Sequence, residues 1–473
     1  MILARRLIFF LFLAAYLFLC PFLILYALGY IFDPVRMDLD RTGALRVVTV
    51  PPQADVYLEG RRFLRQTPAT IAGLLPGRYT VTLRLPGHAP WQHAVRIAPG
   101  EAATFDHVLL LADPLPKKEV LADRVTRTFA SQDGRALVVA VSHRLADHFV
   151  YEASKDQFVP LAAPDSVYAD FAVSSVFMSR DARAFVVAGG SLWNRRWLYL
   201  DRRSPAARTV DISDLVSGVP DLLLWEADRE AFVFAVTAGR VDRWDIAEDA
   251  GHRDYWPAVR GLGFFRDKAF VLTQGGALVR SSLDKKEEQV LFEASGFSES
   301  LLGEEPFFHI EAFPDDVFFF RGRQGRLLSN LAPHTLLEEG CLGLKAFLAR
   351  RSFLYWTKRS IYCARPKEDA SVSVFGEEWD IDTLYAQGRD IRQCAWVYDD
   401  SHVLFSDGTS LNLLENGPQA EHRVTPVAEV LAGTSFLYNE RTGEVFYVDR
   451  QTRQLTALSL VEKERPPAAG EGS

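Results

Sequence analysis

Cysteines and catalytic motifs are scarce in this 473-residue chain, and each scarcity excludes a class of protein. Four cysteines are too few for a disulfide scaffold, and no C-x-x-C pair or Cys/His cluster has the spacing of a zinc site. No G-x-S-x-G, P-loop, H-E-x-x-H or dinucleotide-binding fingerprint is present. The formal net charge is −8 with both signs interspersed, and no basic block is present, so nucleic-acid binding is not expected. We therefore predict a protein without catalytic, cofactor-binding or metal-binding residues.

Long hydrophobic runs are also absent, with one exception at the N-terminus. Leu7–Phe32 carries no charge, and a helix over this run would measure about 39 Å, enough to cross a bilayer with some tilt. Arg5 and Arg6 precede the run, so the positive-inside rule predicts a cytoplasmic end at residues 1–6 and an extracytoplasmic bulk. We expect an uncleaved single-pass anchor in the inner membrane. A cleaved signal peptide and lipidation of Cys20 are the alternatives.

Residues 44–112 consist of short stretches of alternating apolar and polar side chains, separated by turns. Val56 and Leu58 share one face of a predicted strand, and Tyr79 and Val81 share one face of another. Five or six strands at this spacing predict a small all-β sandwich. The Pro-Gly turns between strands lie at Pro76-Gly77, Pro86-Gly87 and Pro99-Gly100.

The order and spacing of residues in this stretch match a known family. The matching positions are Pro51, Ala54, Val56, Leu58, Gly60, Thr67-Pro68, Leu75-Pro76-Gly77, Tyr79, Val81, Gly87 and Trp91. The stretch resembles the PEGA domain, a small surface-associated β-sandwich of bacterial and archaeal proteins. The resemblance implies an extracytoplasmic module near a membrane anchor, with no established catalytic residue. Gln53 stands where the family has glycine and His88 where it commonly has an aromatic residue, but neither changes the strand pattern.

After the linker 112–119, one pattern recurs: a strand, a tight polar turn, a strongly apolar strand, another turn and a third strand. Eight such units start roughly 34 to 49 residues apart, close to the length of a four-stranded propeller blade. They begin at Phe129, Phe177, Trp225, Phe264, Ala312, Ala346, Ala395 and Leu437. We therefore predict a β-propeller over 120–462, with eight blades or, if one unit pairs only partly, seven. A disordered tail is expected at 463–473.

Two of the tight turns begin with serine and have aspartate at their third position. Ser131–Gly134 reads SQDG and Ser179–Ala182 reads SRDA. Both resemble the S-x-D-G turn of TolB-type periplasmic propellers and, more broadly, of WD40-like rings. The later units lack this turn. The resemblance therefore supports the architecture and implies no particular activity.

Two kinds of polar cluster in the predicted propeller could carry chemistry. His143 and His148 flank Asp147 in a loop and could share a metal, although loop histidines are more often solvated. The pairs Asp315-Asp316 and Asp399-Asp400 could hold calcium or perform acid–base chemistry. Aspartate is also common in tight turns because its carboxylate bonds to the backbone. Turn formation is the simpler interpretation of both pairs.

Further segments have simpler interpretations. Asp284–Gln289 is expected to be a solvated loop, and Glu377–Thr383 gathers acids around Trp379, on which a sugar could stack. We expect the cysteines beyond the anchor to be buried free thiols, with a bridge between the first two as the alternative. These cysteines are Cys341, Cys363 and Cys394.

The sequence predicts a non-enzymatic, membrane-anchored, extracytoplasmic binding or scaffold protein of the bacterial cell envelope. The bilayer would contact residues 7–32, and the propeller loops would recognise a protein or an envelope glycan. A propeller lyase or hydrolase acting on envelope polysaccharide is the main alternative. It requires His, Asp, Glu and Tyr side chains from several blades to converge at the channel mouth. A sensor or assembly factor that binds another membrane protein is the third hypothesis.

Overall fold

The computed structural model contains two compact units, one reaching Pro116 and the other comprising Lys117–Asn416 and His422–Leu458. It describes residues 2–27, 29–33, 38–131, 136–152, 157–179, 182–191, 194–202, 208–216, 218–225, 232–293, 299–330, 335–366, 379–398, 400–417 and 422–460. The predicted tail at 463–473 lies outside these residues.

The first unit begins with a helix and a hairpin. Helix α1 comprises Ile2–Ala27, and strand β1 (Tyr30–Asp33) pairs antiparallel with β2 (Asp38–Arg41). The helix therefore ends before the predicted limit at Phe32. Gly29 adopts a left-handed φ of 83°, which stops a helix at low cost because glycine has no Cβ. Within the described part of the chain, no helix is both long enough and apolar enough to cross a membrane.

The predicted sandwich is confirmed between Gly43 and Leu109, where every residue is described. Its strands are β3 (Gly43–Val50), β4 (Asp55–Leu58), β5 (Arg61–Gln66), β6 (Ala69–Leu74), β7 (Gly77–Arg84), β8 (Trp91–Ile97) and β9 (Ala102–Leu109). One sheet has the order β6-β3-β9 and the other β5-β4-β7-β8. Leu45, Val56, Val81 and Trp91 are buried between them. β5 was not among the predicted strands, because this edge strand is exposed almost throughout and lacks the apolar alternation.

Where its residues are described, the second unit is almost entirely β-structure, with one short helix, α2 (Glu299–Leu302), and short 3-10 turns at Leu145–Asp147, Pro314–Asp316 and Leu348–Arg350. Its strands are β10 (Lys117–Arg124), β11 (Arg127–Ala130), β12 (Leu137–Ala140), β13 (His148–Glu152), β14 (Gln157–Pro160), β15 (Val173–Met178), β16 (Ala184–Ser191), β17 (Asn194–Asp201), β18 (Arg208–Asp211), β19 (Leu222–Trp225), β20 (Phe232–Thr237), β21 (Arg240–Asp245), β22 (Ala250–Trp256), β23 (Val259–Phe265), β24 (Lys268–Thr273), β25 (Leu278–Ser282), β26 (Glu288–Phe292), β27 (Phe308–Phe313), β28 (Val317–Gly322), β29 (Leu327–Ser329), β30 (Thr335–Glu338), β31 (Gly343–Phe347), β32 (Ser352–Trp356), β33 (Ile361–Pro366), β34 (Trp379–Tyr385), β35 (Ile391–Val397), β36 (His402–Asp407), β37 (Ser410–Glu415), β38 (Val424–Glu429), β39 (Leu437–Asn439), β40 (Glu444–Val448) and β41 (Gln454–Ser459).

The described strands of this unit form eight four-stranded antiparallel groups, which we call blades. Blades 1 to 7 follow the chain as β11–β14, β15–β18, β19–β22, β23–β26, β27–β30, β31–β34 and β35–β38, and blade 8 combines β39–β41 with β10. Because β10 precedes blade 1 and completes blade 8, the ladder between β10 and β41 closes the ring. This strand order is that of a propeller with eight blades.

Packing between neighbouring blades explains why the second strand of each is so apolar. Ala184 and Trp197 of blade 2 share a core with Leu223 and Val233 of blade 3. The Phe319 ring of blade 5 and the Phe353 ring of blade 6 lie 4.8 Å apart between centroids. Burying such a side chain is worth about 1.5–3 kcal/mol. A single blade has two apolar faces, so only its neighbours can bury both.

Contacts of the same kind close the ring. Leu137 of blade 1 is buried in one cluster with Leu437 and Phe446 of blade 8. The Ser435 backbone N–H, ahead of blade 8, donates to Thr128 Oγ1 in blade 1 at 2.6 Å. Blades 1 and 8 therefore contact each other as successive blades do.

Blades 4 and 5 are joined more closely than a propeller requires. Their inner strands β23 and β27 pair in parallel, with Gly261 opposite Phe308 and Leu262 opposite His309. A Cβ at Gly263 would overlap the carbonyl oxygen of Ile310 and lie 2.7 Å from its carbonyl carbon. The absence of a side chain at Gly263 therefore lets the two strands approach, and the two blades form one eight-stranded sheet.

Candidate functional site

The inner strand of blade 5 carries a group of polar side chains that the sequence analysis missed. His309 and Glu311 are two residues apart on β27, so they lie on one face, and β28 places Arg321 opposite His309. Arg321 Nε lies 3.4 Å from Glu311 Oε1, and Arg321 Nη2 lies 3.4 Å from His309 Nδ1. We call His309, Glu311 and Arg321 the blade 5 cluster. An apolar–polar alternation in Phe308–Phe313 was the available signal for it.

The electrostatics of the blade 5 cluster suit binding better than proton transfer. The side chains of His309, Glu311 and Arg321 are 18, 21 and 24 % exposed. Burial, and secondly the Arg321 charge, lower the pKa of His309 to about 3, so its imidazole is neutral at pH 7. A histidine with that pKa is a poor acid–base catalyst near neutrality. The cluster can instead offer a half-buried ion pair and a neutral ring to a polar ligand.

The cluster also bears on the enzyme hypothesis. That hypothesis requires reactive side chains from several blades to converge. His309, Glu311 and Arg321 all come from one hairpin of blade 5. Among the described residues, no three His, Cys, Asp or Glu side chains are grouped so that they could hold a metal ion.

The two histidines that could have shared a metal, His143 and His148, differ in their exposure to solvent. His148 is 1 % exposed, its Nδ1 lies 2.8 Å from the Arg144 carbonyl oxygen, and its ring stacks on Phe129. His143 is exposed, and Asp147 accepts a hydrogen bond from Ser142 Oγ at 2.6 Å. Burial also lowers the pKa of His148. His148 is therefore a packed structural side chain in blade 1.

Asp316 and Asp400, one from each predicted pair, lie in turns, where their backbone carbonyl oxygens rather than the expected carboxylates accept hydrogen bonds from asparagine side chains. Asp316 adopts a φ of 53°, and its carbonyl oxygen accepts from Asn330 Nδ2 at 2.8 Å. The Asp400 carbonyl oxygen accepts from Asn416 Nδ2 at 2.6 Å, so the same contact recurs in blade 7. Asp399 and the side chain of Asp315 lie outside the described part of the chain. In both blades an asparagine after the third strand fixes the first turn.

Asp400 has a second role between blades. Its side chain is 3 % exposed, its Oδ1 lies 2.9 Å from Arg350 Nη1, and its Oδ2 accepts from Ser352 Oγ at 3.2 Å. Arg350 and Ser352 belong to blade 6, whereas Asp400 belongs to blade 7. The carboxylate is therefore a buried link between two blades, since its charged and polar partners both lie on the neighbouring blade.

Trp379 does not present a free ring to a sugar. It packs between blades, with its centroid 5.6 Å from that of Phe319 and 5.4 Å from that of Phe353. Residues 377 and 378 lie outside the described chain. In the loop predicted at Asp284–Gln289, Asp284 pairs with Lys286 at the surface, but β26 already begins at Glu288. The loop is thus shorter than expected.

The three cysteines beyond α1 are buried free thiols, as expected, so no bridge joins Cys341 to Cys363. Burial raises the pKa of each of these two thiols to about 11. Burial also raises the pKa of Cys394. Thiols that stay protonated at neutral pH are weak nucleophiles and weak metal ligands. All three act as small core side chains between blades.

The turn serines have a local structural role. Ser131 Oγ accepts from the Ala136 backbone N–H at 2.9 Å, and Ser179 Oγ accepts from the Ala184 N–H at 3.0 Å. Each serine thus closes the first turn of its blade through side chain and backbone together. This contact accounts for the serine of the S-x-D-G resemblance.

Arginines outnumber acidic residues in the sandwich. Seven arginines and four carboxylates lie between Ala44 and Ala112, against a chain that is acidic overall. Arg62 pairs with Asp55 at 2.7 Å, and the Arg84 guanidinium lies 5.0 Å from the Tyr57 ring centroid. The four-stranded sheet therefore presents a basic outer face.

Comparison with known proteins supports the assignment of the sandwich. The PEGA domain matches residues 42–111. None of the curated proteins compared with the chain matches it. The sandwich is therefore assigned both by its strands and by its sequence.

The chain also resembles several solved propellers at low identity. The β-propeller domain of Cps50 (Swd1) from Myceliophteria thermophila is similar over 73 % of this chain and 99 % of its own, at 12 % identity and a TM-score of 0.40. Hsv2 of Kluyveromyces lactis is similar over 64 % of this chain and 98 % of its own, at 9 % identity and a TM-score of 0.41. PorZ, a surface component of the type-IX secretion system of Porphyromonas gingivalis, is similar over 70 % of this chain and 42 % of its own, at 13 % identity and a TM-score of 0.37. At these scores the assignment of the propeller rests on the strand order.

Proposed function

We propose that this protein is a membrane-anchored binding or scaffold protein of the bacterial cell envelope, whose propeller presents a rigid surface to a protein or a glycan. The closed ring is the observation that carries the proposal. The ladder between β10 and β41 and the shared apolar cores hold every blade, so loops of distant sequence are displayed on one stable support. The blade 5 cluster is the polar group on an inner strand with which such a ligand would interact.

The anchor is proposed from the sequence of Leu7–Phe32 and from the PEGA module that follows it. The run has no charged residue, and the PEGA resemblance implies an extracytoplasmic position close to a membrane. Arg5 and Arg6 favour a cytoplasmic N-terminus. Together they support an inner-membrane protein whose bulk lies outside the cytoplasm.

Membrane fractionation tests the anchor and its orientation. The full chain should sediment with membranes, resist extraction by alkaline carbonate and be released by detergent. Protease added to spheroplasts should degrade the propeller. A variant lacking Leu7–Phe32 should be recovered in the soluble fraction. Recovery of the full chain without membranes, or protection of the propeller in intact spheroplasts, would contradict the proposal.

Crosslinking of the detergent-solubilised full chain in envelope extract tests the binding role. The Arg321→Gln variant removes the cation of the blade 5 cluster and should lose any partner or glycan that binds there. Lys286→Gln is the matched control, because it removes a cation from a loop where Lys286 is 81 % exposed. Equal capture by both variants would exclude the blade 5 cluster as the contact. Turnover of an envelope glycan by the wild-type chain would favour the enzyme alternative.

A further inference from the structure

Two arginines of the sandwich face each other directly, and no acidic side chain in the described part of the chain pairs with either of them. β7 and β8 pair with Arg78 opposite Arg96, and both side chains are exposed. Directly opposed residues on one sheet face have Cβ atoms about 4.5–5.5 Å apart, where like charges destabilise the pair. Among the described residues, neither guanidinium has a carboxylate within ion-pair distance.

The pair lies at the end of the sandwich from which α1 departs, as a series of contacts shows. Gly29, two residues after α1, accepts hydrogen bonds from the Thr42 N–H and the Thr42 Oγ1. The Thr42 carbonyl oxygen accepts from the Gly100 N–H at 3.1 Å, in the turn that follows β8. β8 ends at Ile97, one residue after Arg96. Few residues therefore separate the end of the helix from the arginine pair.

The hairpin of β1 and β2 does not act as a spacer. Its two ends meet where Thr42 contacts Gly29, so the chain returns to the helix end before it enters β3. A Cβ at Gly43, the first residue of β3, would lie 2.6 Å from the Ala98 carbonyl oxygen, which shows how tightly this end is packed. A sandwich joined to the helix in this way must stay next to whatever surrounds the helix end.

We propose that Arg78 and Arg96 bind the anionic phospholipid headgroups of the membrane in which α1 is anchored. The inference rests on the proposed anchor and adds a surface for the sandwich. Guanidinium groups bind phosphate oxygens in pairs of hydrogen bonds, and headgroup phosphates would relieve the repulsion between the two arginines. The occupant is the membrane surface because the helix places the pair beside it.

Arginine labelling of the reconstituted full chain tests the proposal. The chain is inserted into phosphatidylcholine vesicles with or without phosphatidylglycerol, and the rate of modification by phenylglyoxal is measured at each arginine by mass spectrometry. Phosphatidylglycerol should slow modification by about fivefold for each of Arg78 and Arg96 at low salt, and high salt should remove the effect. Arg84 is the internal control, because it lies on the same strand and face, about 20 Å away at the strand rise of 3.4 Å per residue.

The labelling of Arg78 in two variants, Arg96→Gln and Arg84→Gln, gives a second test of the proposal. Arg96→Gln should reduce the protection of Arg78 on anionic vesicles, because one of two cooperating cations is lost. Arg84→Gln should leave the protection of Arg78 unchanged. Equal labelling of Arg78 and Arg96 on both kinds of vesicle would overturn the proposal, as would equal protection by inorganic phosphate on neutral vesicles.

The same vesicle experiment distinguishes a failure of the arginine proposal from a failure of the proposed membrane anchor. Insertion into both kinds of vesicle without selective protection would refute the role of the arginines and leave the anchor supported. Failure of the chain to associate with either kind of vesicle would refute the anchor, and the arginine proposal with it.

Discussion

Gly263→Ala should destabilise the ring strongly, because Gly263 lies where blades 4 and 5 meet. The new Cβ would overlap the Ile310 carbonyl oxygen and lie 2.8 Å from the Ile310 Cβ. The obstructing atoms include backbone, so they cannot rotate away as a flexible side chain would. The inner strands must therefore separate.

Two effects contribute to the loss of stability expected for Gly263→Ala. Overpacking of this kind costs about 1–3 kcal/mol. Separating β23 from β27 also weakens the parallel pairing at Gly261 and Leu262, at about 1 kcal/mol for each hydrogen bond lost. We expect a total loss of about 3–5 kcal/mol in the free energy of unfolding.

Urea unfolding and hydrogen exchange measure the two parts of this prediction. The full chain in detergent should unfold at lower urea concentration, and peptides covering 259–265 and 308–313 should exchange faster. Gly275→Ala is the matched control, because the nearest atom to its new Cβ is Thr273 Oγ1 at 4.0 Å. It should change stability by less than about 0.5 kcal/mol. Equal stability of the two variants, with unchanged exchange at 308–313, would refute the role of Gly263.

Three further predictions concern individual side chains. His309 has a pKa lowered to about 3 from 6.5, so the unfolded chain binds a proton that the folded chain does not. Stability should fall as the pH drops from 6.5 towards 3, by up to about 1.4 kcal/mol per pH unit, and His309→Leu should flatten this part of the curve in urea unfolding. Asp400→Ala should cost about 2 kcal/mol because the buried Ser352 hydroxyl and the more exposed Arg350 lose their charged partner, whereas Asp382→Ala, whose side chain is half exposed, should cost less than about 1 kcal/mol. Similar losses for these two variants would contradict the assigned link. Ser179→Ala should lower stability by about 1 kcal/mol by removing an acceptor from the first turn of blade 2, and no change in thermal unfolding would argue against that role.

The sequence could predict the sandwich and the repeated units because both depend on local patterns. Apolar alternation marks the strands between Gly43 and Leu109 other than β5. The fully buried second strand of each blade is an apolar run, as in Leu137–Ala140. Outer strands are different, since one or both faces meet water. β10 reads as a charged linker because Lys117–Glu119 is exposed, although this strand closes the ring.

The parts that escaped prediction depend on the register between paired strands. His309 and Glu311 were visible as polar residues in an apolar strand, but their pairing with Arg321 follows only from the alignment of β27 with β28. The close approach at Gly263 involves a different blade, and the opposition of Arg78 and Arg96 requires the register of β7 and β8. Neither spacing nor composition contains that information.

The closing strand has a consequence for synthesis of the protein. Gln454 Nε2 donates to Glu119 Oε1, and these two residues are 335 positions apart in the sequence. At about 5–20 residues per second, a ribosome needs roughly 17 to 67 s to make that stretch. During this interval the hydrogen-bonding edge of β10 has no partner strand, so the nascent chain must keep β10 from pairing with other strands until β41 has been synthesised.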